Sequence, residues 1–99
     1  MDYQVVWSPR ALEDVDSIAN YISADSPSYA AAVVKKILDT TYSLSRLPYS
    51  GRIVPEFNDE TIRERFAYSY RIIYRVKDNT ITIAAVIHGR RLLDTDIKP

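Results

Sequence analysis

The hydrophobic period changes along this chain, and the change divides it into a helical part and a strand part. Between Pro9 and Arg46 the apolar residues recur at helical spacing, and from Thr61 onwards they alternate. A helix with one apolar stripe and a sheet with one apolar face each need a partner to bury it, so the two parts are expected to pack on each other.

Punctuation sharpens the division. The opening Tyr3-Gln4-Val5-Val6-Trp7 is rich in β-branched and aromatic residues and reads as a short strand. Ser8-Pro9 then supplies an N-cap followed by proline at the first helical position, where the missing N–H costs little. Leu12, Val15, Ile18, Ala19 and Ile22 predict an amphipathic helix over residues 9–23, and Glu13 and Asp14 are expected to favour its positive end. Ser26-Pro27 repeats the start signal, and Ala30, Val33, Val34, Ile37, Leu38, Thr41 and Leu44 predict a second helix over residues 27–46. The link Ala24 to Ser26 is short enough to make the pair an antiparallel hairpin.

Residues 47–60, with Pro48, Gly51 and Pro55, read as a structured loop. Strands are predicted over residues 61–66, 68–76 and 80–88, with Asp78-Asn79 as a tight hairpin turn. The order β-α-α-β-β-β implies an α+β fold: one domain over residues 1–99, a helical hairpin on one face of a small, mostly antiparallel sheet. The pairing of the first strand is not legible.

Composition removes several classes of function. The chain has 99 residues and no cysteine, which excludes disulfides and thiolate metal sites. With one histidine, His88, a transition-metal site is not expected, and no cofactor is. Two glycines, Gly51 and Gly89, cannot build a phosphate-cradling loop, and no serine sits in a nucleophile elbow. Met1 to Gln4 lacks a signal-peptide pattern, and stretches such as Ile83 to Ile87 are too short to span a membrane, so a soluble cytoplasmic protein is expected.

Net charge is zero but unevenly spread. Residues 1–30 hold one Lys/Arg and five Asp/Glu (−4), residues 31–60 four of each, and residues 61–99 eight Lys/Arg and four Asp/Glu (+4). The C-terminal third is therefore a basic surface suited to an acidic partner, while overall neutrality counts against unspecific binding to nucleic acid.

Strand alternation predicts which arginines cluster. Tyr70, Ile72, Tyr74 and Val76 share one face, Arg71, Ile73 and Arg75 the other, and Arg63 and Arg65 lie opposite Ile62, Glu64 and Phe66. The simplest assembly gathers Arg63, Arg65, Arg71 and Arg75 on the face away from the helices, where guanidinium forks would hold carboxylates or phosphates. Pairing with Glu64 or Asp78 is the competing arrangement. Tyr68, Tyr70 and Tyr74 are expected in the core with hydroxyls at its rim. His88, before Gly89-Arg90-Arg91, either acts as an acid/base or hydrogen-bonds the backbone of its turn.

Several stretches together resemble one family. They are Val6-Trp7-Ser8-Pro9-Arg10-Ala11-Leu12-Glu13-Asp14, Pro48-Tyr49-Ser50-Gly51-Arg52, Ile62-Arg63-Glu64, Tyr70-Arg71-Ile72-Ile73-Tyr74-Arg75-Val76 and Val86-Ile87-His88-Gly89-Arg90-Arg91. In this order they resemble the RelE/ParE toxins of type II toxin–antitoxin systems, and the start and the His-Gly-Arg-Arg ending are most similar to the ParE branch.

The resemblance implies a helical hairpin against a small sheet, and a cognate antitoxin that masks the toxin as a hetero-oligomer; a homodimer is also compatible. It implies growth inhibition or plasmid stabilisation by poisoning DNA gyrase without catalysis. On this reading Arg63, Arg65, Arg71, Arg75, Arg90 and Arg91, with the tail Leu92 to Pro99, engage partners. The RelE alternative is a ribosome-dependent mRNA endoribonuclease. There the resemblance assigns Arg65, Arg71 and Arg91 to phosphate charge and His88 to the place of a late tyrosine, which Leu92-Leu93-Asp94-Thr95-Asp96-Ile97 lacks.

Overall fold

The computed structural model of the protein describes residues 2–91. Its elements are β1 (Gln4–Trp7), α1 (Pro9–Ser23), α2 (Pro27–Leu44), β2 (Arg52–Ile53), β3 (Ile62–Ala67), β4 (Tyr70–Lys77) and β5 (Thr80–His88). They form a helical hairpin on a five-stranded sheet of order β1-β5-β4-β3-β2. β1 runs parallel to β5, with Gln4 opposite Thr80 and Trp7 opposite Ile83. The remaining pairs are antiparallel.

Both helices start as their serines dictate. Ser8 Oγ accepts the Ala11 N–H at 3.0 Å and donates to the Ala84 carbonyl at 3.0 Å, so one hydroxyl caps α1 and ties it to β5. Ser26 Oγ accepts the Tyr29 N–H at 3.2 Å. The expected dipole role of Glu13 and Asp14 is not realised: no acid lies in the first turn of α1, and the dipole acts little beyond it. Asp14 instead meets Arg10 at 3.0 Å and accepts the Val86 N–H at 2.9 Å, covering the edge of β5 beyond the end of β1.

The main core lies between hairpin and sheet, where Val33, Ile37 and Leu44 of α2 meet Ile72, Tyr74, Ile81 and Ile83. A second, smaller core lies on the opposite face. There the segment after β2 brings Val54 and Phe57 against Ile62, Ile73, Ala85 and Ile87. The sheet is thus covered on both sides, and β2 is a two-residue strand inside the predicted loop.

Turns fix the register. Asp78 (φ 52) and Asn79 (φ 62) form the expected hairpin turn. The β3–β4 turn is Tyr68-Ser69, because Ala67 pairs with Tyr70. A bulge between Ile73 and Tyr74 leaves Ala84 of β5 without a cross-strand partner. Gly51 is required by close approach: a Cβ there would lie 2.6 Å from the Tyr74 hydroxyl, which accepts the Gly51 N–H at 2.9 Å.

Candidate functional site

The four arginines do not gather. Arg63 pairs with Tyr74 and Arg65 with Ile72, which places both on the helical side of the sheet. Arg71 and Arg75 lie on the other side, with Ile62, Glu64 and Phe66. The expected cluster is corrected to two pairs on opposite faces. A one-residue slip of register exchanges the faces of a whole strand. The strand end was expected at Phe66 and the turn actually spans Tyr68-Ser69, so β3 presents the reverse of its predicted face.

Arg71 is not an open docking residue. It is 5% exposed. Its Nε donates to Glu64 Oε1 at 2.6 Å, while Nη1 and Nη2 grip both oxygens of Glu56 at 2.9 and 3.0 Å. Glu64 is itself buried, and its second oxygen accepts from Arg52 Nε at 2.5 Å. Among the described residues, Arg52, Glu64, Arg71 and Glu56 so form a continuous run of ion pairs that pins the segment after β2 to the sheet. The bond to Glu56 is the largest reason Arg71 holds its proton more tightly than an ordinary guanidinium; the bond to Glu64 adds to it. Pairing with Glu64, the competing arrangement that the sequence offers, is the one that forms at Arg71, whereas its second partner, Glu56, carries no signal in the alternation. The signal available was a glutamate in the middle of a β-rich strand, a residue seldom buried unless paired.

Arg63 and Arg65 are differently placed. Arg63 donates to the carbonyls of Glu60 at 2.9 Å and Gly51 at 3.1 Å, and stacks 5.0 Å from the centroid of Tyr49. Arg65 donates to Ser50 Oγ at 2.9 Å. Among the described residues neither meets a carboxylate, so both charges remain available to an acidic partner. The run Tyr49-Ser50-Gly51 therefore orients this pair.

From that pair an apolar strip follows α2. Leu47 and Arg46 adjoin Tyr42, and Tyr42 adjoins a groove of about 530 Å³ between the helices, lined by Ala19, Ala31, Val34 and Leu38. Tyr42 is 74% exposed and Leu38 40%. Helical periodicity assigns Leu38 to the core stripe, but it sits at the outer edge of that stripe.

His88 pairs with Tyr70 and faces the helices, on the opposite side from Arg71. Its Nδ1 accepts the Arg90 N–H at 3.2 Å, and its ring meets Tyr70 edge to face at 5.6 Å. Arg90 and Arg91 are exposed at the end of β5. The arginine–histidine set expected for RNA cleavage is thus divided by the sheet. The tyrosines divide too: Tyr74 is fully buried with its hydroxyl on Gly51, Tyr70 is half-buried, and Tyr68 is 54% exposed. The tail from Leu92 to Pro99 lies outside the described residues. Among those described, no cluster of His, Asp and Glu could hold a metal, and no helix is long and apolar enough to cross a membrane.

A profile of one family, the ParE toxin of the type II toxin–antitoxin system parDE, matches residues 5–93. The chain is 34% identical over 90 residues to Toxin RelE2 of Caulobacter vibrioides, covering 90% of this chain and 98% of the relative. Among solved structures, the chromosomal ParDE system of P. aeruginosa superposes with a TM-score of 0.71 at 21% identity, over 87% of this chain and 95% of the other. The RelBE2 toxin–antitoxin complex of Mycobacterium tuberculosis gives a TM-score of 0.63 at 22% identity, over 89% and 99%. At such identities the structures speak for the fold.

Proposed function

We propose, from the premise that this chain belongs to the ParE toxin family of type II toxin–antitoxin systems, that it is a non-catalytic poison of DNA gyrase held inactive in the cytoplasm by a cognate antitoxin. The observation that carries this reading is the state of Arg71. A guanidinium recruited to stabilise a phosphorane must be free to meet developing negative charge. This one already faces Glu56 and Glu64. RNA would have to displace two carboxylates and expose a buried charge, at a cost of about several kcal/mol. His88, on the opposite face, is no acid/base partner for Arg71.

The antitoxin contact follows from the available charges and apolar surface. An acidic segment seats carboxylates on Arg63 and Arg65 and lays apolar side chains along Leu47, Tyr42 and Leu38, in the manner of a peptide in a helix-lined groove. Arg75, on the far face, belongs to a different surface.

Purified protein incubated with gyrase and supercoiled plasmid is expected to accumulate enzyme-linked linear DNA, and antitoxin is expected to prevent it. Primer extension on translating mRNA is expected to show no new ends. Discrete cleavage in the A-site codon, lost in His88→Ala, would overturn the reading in favour of a ribosome-dependent endoribonuclease.

A further inference from the structure

Aromatic side chains from several segments meet where the helical hairpin turns and β3 turns into β4. Tyr29 of α2 contacts Tyr68 of that turn edge to face at 5.9 Å, and Tyr70 of β4 contacts His88 of β5 in the same way. Tyr21 of α1 and Tyr70 line one cleft of about 480 Å³ together with Ile18, Val86, His88 and Arg91. Tyr21 is 79% exposed and Tyr29 48%. Tyr68 has φ 53, a left-handed conformation that a bulky residue seldom adopts. That backbone carries an exposed ring rather than a buried one.

The charge of the cleft is one-sided. Asp14 also lines it, but its carboxylate is taken up by Arg10 and the Val86 N–H. Arg91 and its neighbour Arg90 meet no carboxylate among the described residues. What remains is an apolar floor, aromatic walls and a cationic lip. Large aromatic residues and arginine are the composition of protein-binding hot spots, where an anchor side chain enters a pocket.

We propose that this cleft is a socket for an extended segment of a partner protein, which inserts one large apolar or aromatic side chain and sets an adjacent carboxylate on Arg91. The socket lies over β5, whereas Arg63 and Arg65 lie on β3, two strands away in the sheet. It is therefore a second partner surface, and it does not depend on gyrase being the target.

The test is a titration of the purified chain with the capped tripeptide acetyl-Glu-Trp-Glu-amide, followed by amide chemical shifts. Shifts are expected at Ser17, Tyr70, His88 and Arg91. The Gln-Trp-Gln analogue is expected to bind about fivefold more weakly, the size of one partly exposed ion pair, and Arg91→Gln should abolish that preference. Ser17→Trp, at an exposed position on the cleft wall, should block binding while shifts on the far side of the sheet stay unchanged. No shifts, shifts confined to the groove between the helices, or tighter binding of an octathymidylate at the same residues would each overturn the proposal; the last would assign the cleft to nucleic acid.

Discussion

Arg71 and Glu64 are bound to each other at 2.6 Å with both side chains withdrawn from solvent, and each has one further ion-pair partner. A diagonal pair on neighbouring strands thus neutralises and covers the part of the sheet's second face around Arg71. This relationship separates the residues that hold the fold from those that can meet a partner.

Removing one member of the pair strands the other. Arg71→Ala leaves Glu64 buried with only Arg52 beside it, and a loss of about 3–5 kcal/mol is expected. Arg71→Met combined with Glu64→Met is expected to lose less than Arg71→Ala alone, because the charge left behind is gone as well. Urea unfolding of the variants measures this; equal losses for the single and double variants would refute the coupling.

The Tyr74 hydroxyl is the acceptor for the Gly51 N–H, so Tyr74→Phe leaves that donor buried and unmet. A loss of about 1–3 kcal/mol is expected at pH 8. Burial is the largest reason that Tyr74 holds its proton above the usual tyrosine value. A group whose folded pKa is raised contributes stability fully below its unfolded value, about 10, and loses it as pH rises through the folded value. The protein should therefore weaken above about pH 10, and Tyr74→Phe should weaken less steeply there. Tyr70, raised mainly by burial and further by Tyr29 and Tyr21, accounts for part of the remaining slope.

Charge reversal on the helical side is expected to act on association. Arg63→Glu with Arg65→Glu should weaken antitoxin binding about tenfold or more at low salt and less at high salt, since such contacts are screened. Calorimetry at two salt concentrations reads it. Unchanged affinity would remove this pair from the interface.

The two helix caps are alike in sequence and unlike in setting. Ser8 both caps α1 and donates to Ala84, whereas Ser26 caps α2 at the surface. Ser8→Ala should cost about 1–2 kcal/mol and Ser26→Ala about 1 kcal/mol or less. Denaturation midpoints decide it, and a larger loss at Ser26 would contradict this account.

Much of the fold was legible because its signals are local. The Ser-Pro pairs, the two helices and the Asp78-Asn79 turn act through neighbours within a few residues and appear where the chain predicts them, although Leu12 and Leu38 of the helical stripe stay exposed. The parallel pairing of β1 with β5 was not legible, since it joins residues separated by both helices. Nor was the facing of β3. Alternation orients a strand when one face is apolar and the other wet, but here Ile62 and Ile73 are buried on one side as firmly as Ile72 and Tyr74 on the other.

The sequence by itself determined that these residues form a helical hairpin and an antiparallel-rich sheet, and it carried the family likeness. Only the tertiary structure decided which arginines are free. Guanidinium groups look alike in a sequence, and whether one is neutralised depends on which carboxylates the strand register and the segment after β2 bring within hydrogen-bonding distance. For Arg71 they bring Glu64 and Glu56; for Arg63 and Arg65 they bring, among the described residues, carbonyls and a hydroxyl.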